Sequence, residues 1–83
     1  MTGEYRMLTA PQIRAARALL DWTQHELAER SSVSISVVKR MEVEGHDPRT
    51  STVQAIQSAL EKGGVVFVPS DDHAGEGVRM KTP

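Results

Sequence analysis

The sequence predicts a mainly α-helical domain that ends in a β-hairpin. Three observations lead there. Helix-start signals at Thr9 and Thr23 follow one another closely. A third start signal, at Ser34, comes directly after a polar turn over residues 31–33. After Gly63-Gly64 the composition shifts from helix formers to β-branched and aromatic residues.

The first helix opens at Thr9. Gln12 stands three residues on and Pro11 lies in the first turn, which fits a capping box with proline where the N–H groups lack intrahelical partners. Leu8 and Ile13 have the spacing of a hydrophobic staple. Ile13, Ala16 and Leu20 then mark one buried stripe, so the helix should run to about Leu20. Thr23 and Glu26 repeat the box, and Trp22 and Leu27 repeat the staple. Leu27 and Ala28 are the apolar positions of this second helix, which ends near Arg30. Trp22, the single tryptophan, reads as a core anchor.

"SSVSISVVKRMEVEG", at 31–45, permits two readings. As a strand, Val33, Ile35 and Val37 share a face while Val38 and Met41 fall on opposite sides. As a helix of about 34–43, Ser34 is the cap and Val33 and Val38 form the staple. Ser34, Val38, Met41 and Glu42 then cluster on one side, and Ser36, Lys39, Arg40 and Val43 on the other, with Ile35 and Val37 at the boundary. The helix uses the cap and the strand ignores it, so the helix is preferred, with Gly45 as its stop. Two short helices joined in this way have the spacing of a helix-turn-helix, whose second helix enters the DNA major groove. An αα-corner with a solvated basic face has the same spacing.

Composition limits the functions available. Eighty-three residues make one small domain. A chain of this size buries only about 60% of its unfolded surface, so its core is modest. Without cysteine it has neither disulfides nor thiolate metal ligands. No apolar run has the length of a membrane span, and the N-terminus shows no signal-peptide core, which points to a cytoplasmic protein with no membrane contact. The net charge is −1, so attraction to nucleic acid has to come from a local patch.

"QHELAERSSVSISVVKRMEVEG" resembles the helix-turn-helix of the XRE family, the Cro/CI-type regulators that include the lambdoid phage repressors. The family's opening glutamine, Leu-Ala pair, turn, aliphatic residue and closing glutamate fall on Gln24, Leu27-Ala28, Val33-Ser34, Val38 and Glu42. Arg17, seven residues before Gln24, matches the arginine of the family's first helix. "TSTVQAIQSAL" resembles the fourth helix, with Val53, Ile56, Ala59 and Leu60 inward. The resemblance covers roughly 8–62 and implies a four-helix, lambda-repressor-like DNA-binding domain over those residues. An N-terminal extension over 1–7 and a β-hairpin tail over 63–83 flank it. Two departures stand out. Ser32 replaces the turn glycine, at a cost of roughly 1 kcal/mol if its backbone is left-handed. The family's fifth helix is absent, and the tail reads as β instead.

The resemblance also implies roles for single residues. Base contacts fall on Ile35, Ser36 and Arg40. The planar fork of Arg40 suits guanine O6/N7, and Ile35 suits a thymine methyl. Ser36 can donate or accept, so it specifies less. Lys39 is expected on a phosphate. Val37 touches sugar or methyl groups, or else is simply half-buried. Gln24, at a helix N-terminus, is expected on the DNA backbone. Arg49 and Thr50, which begin the fourth helix, are expected to clamp another phosphate. His46 reads as a solvated loop histidine, and Arg14 as no more than a solvated charge. Glu42, on the inward face, is implied to form a structural salt bridge with Arg17.

In the tail, "VVFVPS" and "GVRMK" read as two strands joined by a long mobile connection, "PSDDHAGEG". "EYRML", with Tyr5 and Met7 on one face, suggests a weak extra strand. An isolated hairpin is marginal, so its apolar side needs a second chain or the first and fourth helices of its own. Asp71, Asp72 and His73 lack a distant partner set and are poor metal ligands. No nucleophile–base constellation or phosphate-cradling glycine loop is visible, so neither an enzyme nor a cofactor is expected. Two functions fit these features. One is a DNA-binding transcriptional regulator, a repressor acting as a homodimer on a palindrome. The other is an antitoxin or adaptor that holds a protein partner through its tail and autoregulates its operon. A tight partner co-purifying from the native host would favour the second.

Overall fold

A computed structural model describes residues 8–45, 47 and 49–83 of the chain. Helices α1 (Ala10–Leu20), α2 (Gln24–Ser31), α3 (Ile35–Glu44) and α4 (Thr50–Gly63) precede strands β1 (Val65–Val68) and β2 (Gly77–Met80). The strand suggested by residues 4–8 lies, apart from Leu8, outside the described residues, as does His46. Among the described residues, no helix is long and apolar enough to cross a membrane.

Local capping sets the helix starts. The Gln12 N–H donates to Thr9 Oγ1 at 3.2 Å, and the Thr9 N–H donates back to Gln12 Oε1 at 2.9 Å, closing the first capping box. The second box is only half made. Thr23 Oγ1 accepts from the Glu26 N–H at 3.0 Å, but the Glu26 carboxylate turns to Arg30 at 3.2 Å, its i,i+4 neighbour. Ser34 Oγ accepts from the Val37 N–H, so "SSVSISVVKRMEVEG" contains a capped helix, not a strand.

The turns after α1 and α2 have one design. Asp21 and Ser32 both take the left-handed conformation, each at φ 58°. The next residue then donates back to the carbonyl five before it: Trp22 to Arg17 at 3.0 Å and Val33 to Ala28 at 3.1 Å. Each is a Schellman closure. Trp22 and Val33 also sit directly before the next caps, Thr23 and Ser34. One apolar residue therefore ends one helix and staples the next. Ser32 holds a backbone that favours glycine and carries the associated cost of roughly 1 kcal/mol.

Ile13, Ala16, Leu27, Val38, Met41, Val53, Ile56, Ala59, Leu60 and Val65 form the core, and Leu8 closes one end. Leu20 and Trp22 are only half-buried and pack on its rim, with the Arg30 guanidinium 4.4 Å from the indole centroid.

The hairpin docks on this chain's own helices. β1 and β2 pair antiparallel with Val65 opposite Met80 and Phe67 opposite Val78, which puts these four on one face. Val65 joins the core, and Phe67 and Val78 pack against it. Gln12 Nε2 donates to the Gly77 carbonyl at 3.0 Å, tying α1 to β2. The apolar face thus finds its cover without a second chain. The connection expected to be mobile is folded around Asp71, whose Oδ1 accepts from the His73 and Ala74 N–H groups at 2.8 and 2.9 Å.

Gly63 closes α4 against the first interhelical turn. A Cβ there would lie 2.8 Å from Trp22 Cζ2 and 2.9 Å from Leu20 Cδ1. In an open helix, glycine to alanine stabilises by up to about 1 kcal/mol. Here overpacking reverses the sign, and Gly63→Ala is expected to cost about 1–3 kcal/mol in chemical denaturation. Unchanged stability would mean that the indole yields freely.

Candidate nucleic-acid interface

α3 has a holding face and an open face. Val38, Met41 and Glu42 point inward and are buried, while Ser36, Lys39, Arg40 and Val43 are exposed. Ile35 and Val37 are half-buried, and Val37 packs on the core. The periodicity follows from the sequence: apolar residues and Glu42 recur at helical spacing, and polar residues fill the gaps.

Glu42 fixes the orientation of the helix. Its carboxylate is met edge-on by Arg17, with Nε to Oε2 at 2.7 Å and Nη2 to Oε1 at 2.9 Å. The Glu42 side chain is 4% exposed and that of Arg17 is 24% exposed. Gln24 Nε2 adds a third hydrogen bond, to Oε1 at 3.1 Å, and Arg17 Nη1 donates to the Trp22 carbonyl at 3.0 Å. Hydrogen bonding to Glu42 raises the Arg17 pKa above its ordinary value. Arg14, expected to be merely solvated, donates from Nη1 to the Glu42 backbone carbonyl. Carbonyl acceptors are the same for every residue type, so nothing in the sequence marked that contact.

The open face continues into the start of α4. Val37, Arg40, Asp47, Arg49 and Thr52 line one hollow together with the residues of the turn before α3. Arg49 and Thr50 are exposed at the α4 N-terminus. Ile35, Ser36 and Lys39 lie outside this hollow, along α3. Gln24 stands apart from it, its amide engaged by Glu42.

Asp47 was not singled out by sequence reasoning. Its Oδ1 accepts from the Arg49 N–H at 2.8 Å, and its Oδ2 pairs with Arg40 Nη2. The Arg49 N–H, and after it the Arg40 guanidinium, hold its carboxyl below the ordinary carboxylate value. An Asp-Pro step just before a helix was a legible signal for a turn. The pairing with Arg40 was not legible, because it depends on the path of the loop.

Among the described residues, no three His, Asp or Glu side chains gather as a metal site. Asp71 spends its carboxylate on the backbone of its own turn.

Removing one partner of a buried ion pair strands the other charge. Glu42→Ala is therefore expected to cost about 3–5 kcal/mol, whereas replacing Arg17 and Glu42 together by apolar residues costs much less. Urea denaturation of the two single variants and the double variant measures this. A negligible loss for Glu42→Ala would show that solvent reaches Arg17 and compensates it.

The helix-turn-helix family model matches residues 13–66. No curated protein matches the chain.

Proposed function

The chain belongs to the XRE family of helix-turn-helix DNA-binding regulators, and on that premise we propose that it is a repressor binding a palindromic operator as a homodimer. The observation that carries this reading is the exposed edge of α3, where Ser36, Lys39 and Arg40 stand side by side on a helix fixed from behind by Glu42. In the proposed complex α3 lies in the major groove. Arg40 addresses a guanine, Ser36 and Ile35 the neighbouring bases, and Lys39 and Val37 the sugar–phosphate edge. Arg49 and Thr50 clamp a second phosphate. The Gln24 amide nitrogen carries two N–H groups, so one can serve Glu42 while the other reaches a phosphate at the α2 N-terminus. The apolar tail that suggested an antitoxin is largely spent on this chain's own core.

Selection of bound duplexes from random DNA, followed by titrations at several salt concentrations, tests the reading. Arg40→Ala is expected to cost about 1–3 kcal/mol on the selected site and to relax one base pair per half-site. Lys39→Ala is expected to weaken all sequences alike and to lower the salt slope by about one. Specific binding untouched by Arg40→Ala would refute this docking of α3.

For the dimer we propose the outward side of the hairpin, with residues 63–83 as the interface element. On that side Val66 stays 37% exposed, opposite Arg79. Among the described residues each strand also has one edge without a strand partner. Two α3 helices about 34 Å apart would then read two half-sites. Val66→Glu is expected to sediment as a monomer with wild-type circular dichroism and to lose cooperative binding to the palindrome. A Val66→Glu dimer would move the interface elsewhere.

A further inference from the structure

We propose that Asp47 is a positioning residue for Arg40: it holds the guanidinium by one corner so that the free edge is presented to guanine, and so sharpens base discrimination. This deepens the reading of α3 as the base-reading helix and rests on it.

Arg40 has a long side chain, 41% exposed, on the open face of α3. Left alone, such a side chain samples many rotamers and meets a base edge only at an entropic cost. Asp47 restricts it. The Asp47 side chain is itself fixed, only 4% exposed, with one oxygen on the Arg49 N–H at 2.8 Å and the other on Arg40 Nη2. The position of Arg40 is therefore referenced to the backbone at the start of α4 as well as to its own helix.

A guanidinium has five N–H donors, and the contact with Asp47 engages only the Nη2 corner. Two parallel donors remain for the O6 and N7 of guanine, so the pair with Asp47 and the base contact are compatible. The carboxylate also works against wrong sequences. Where no guanine faces Arg40, a negative charge close to the phosphates is repelled without a compensating bidentate contact. Discrimination thus gains from both sides, while non-specific affinity is held down.

The test compares full-length wild type, Asp47→Asn, Arg40→Ala and the double variant. Each is titrated on the selected duplex, on that duplex with the Arg40-dependent base pair changed, and on random duplex. Asparagine keeps an acceptor for the Arg49 N–H, so the start of α4 is retained, and thermal melting checks this. Discrimination between the first two duplexes is expected to fall about three- to tenfold in Asp47→Asn. Affinity for random duplex is expected to hold or rise, and the double variant should discriminate no worse than Arg40→Ala. If Asp47→Asn tightens every duplex equally and discriminates as well as wild type, Asp47 masks Arg40 and the inference is overturned. It is overturned too if Asp47→Asn lowers discrimination by the same factor when Arg40 is already alanine. A wild type without sequence preference defeats the reading of α3 itself, and the inference with it. Preference lost in Arg40→Ala but intact in Asp47→Asn defeats the inference alone.

Discussion

Glu42 brings a full negative charge into the space where α1, α2 and α3 meet, and the front half of the chain is arranged around compensating it. Arg17 arrives from α1 with two parallel hydrogen bonds, and Gln24 from the first residue of α2 with one. Such a pair adds little net stability over well-packed apolar side chains. What it adds is direction. An apolar contact between helices tolerates sliding, but a bidentate guanidinium–carboxylate contact admits one approach. Arg14 on the backbone carbonyl of Glu42 fixes the same turn of α3 from α1. The open face of α3 inherits its orientation from this buried contact.

The segments between helices leave little freedom for the rest. In Asp21-Trp22-Thr23 and again in Ser32-Val33-Ser34, a left-handed residue, an apolar residue and a hydroxyl cap follow in order. Each triplet closes one helix and opens the next, so successive helix axes are set within a few residues of chain. Trp22 then receives α4 through Gly63, where any side chain would meet the ring. The hairpin completes the protomer from the far end of the sequence, with Val65 in the core and the Gly77 carbonyl on Gln12.

Most of this was legible, because the signals are local. Caps, staples and the helical recurrence of Val38, Met41 and Glu42 occupy neighbouring positions, the first strand announces itself by β-branched residues after a double glycine, and the second by the alternation of Val78 and Met80 with Arg79 and Lys81. What failed to show depended on choices between partners or on the course of a loop. Glu26 had both its cap and Arg30 within reach and took Arg30. The hairpin's apolar stripe was plain, but not what would cover it. Arg40 was legible as an exposed cation, yet its carboxylate neighbour lies seven residues on, beyond the end of the helix. Gln24 was legible as a helix-opening residue expected on the DNA backbone, whereas the fold also gives its side-chain amide to Glu42.

The division of α3 into two faces also governs how such a protein can change over generations. Substitutions at exposed positions without structural partners usually shift stability by no more than about 0.5 kcal/mol. Ser36, Lys39 and Val43 are exposed, and none of their side chains takes part in a hydrogen bond or ion pair among the described residues. They can drift, and the surface chemistry of α3 with them, without threatening the protomer. Arg40 cannot drift as freely. Its replacement takes from Asp47 the partner of one carboxylate oxygen and leaves only the Arg49 N–H on the other, so a change at position 40 alters what position 47 can best be.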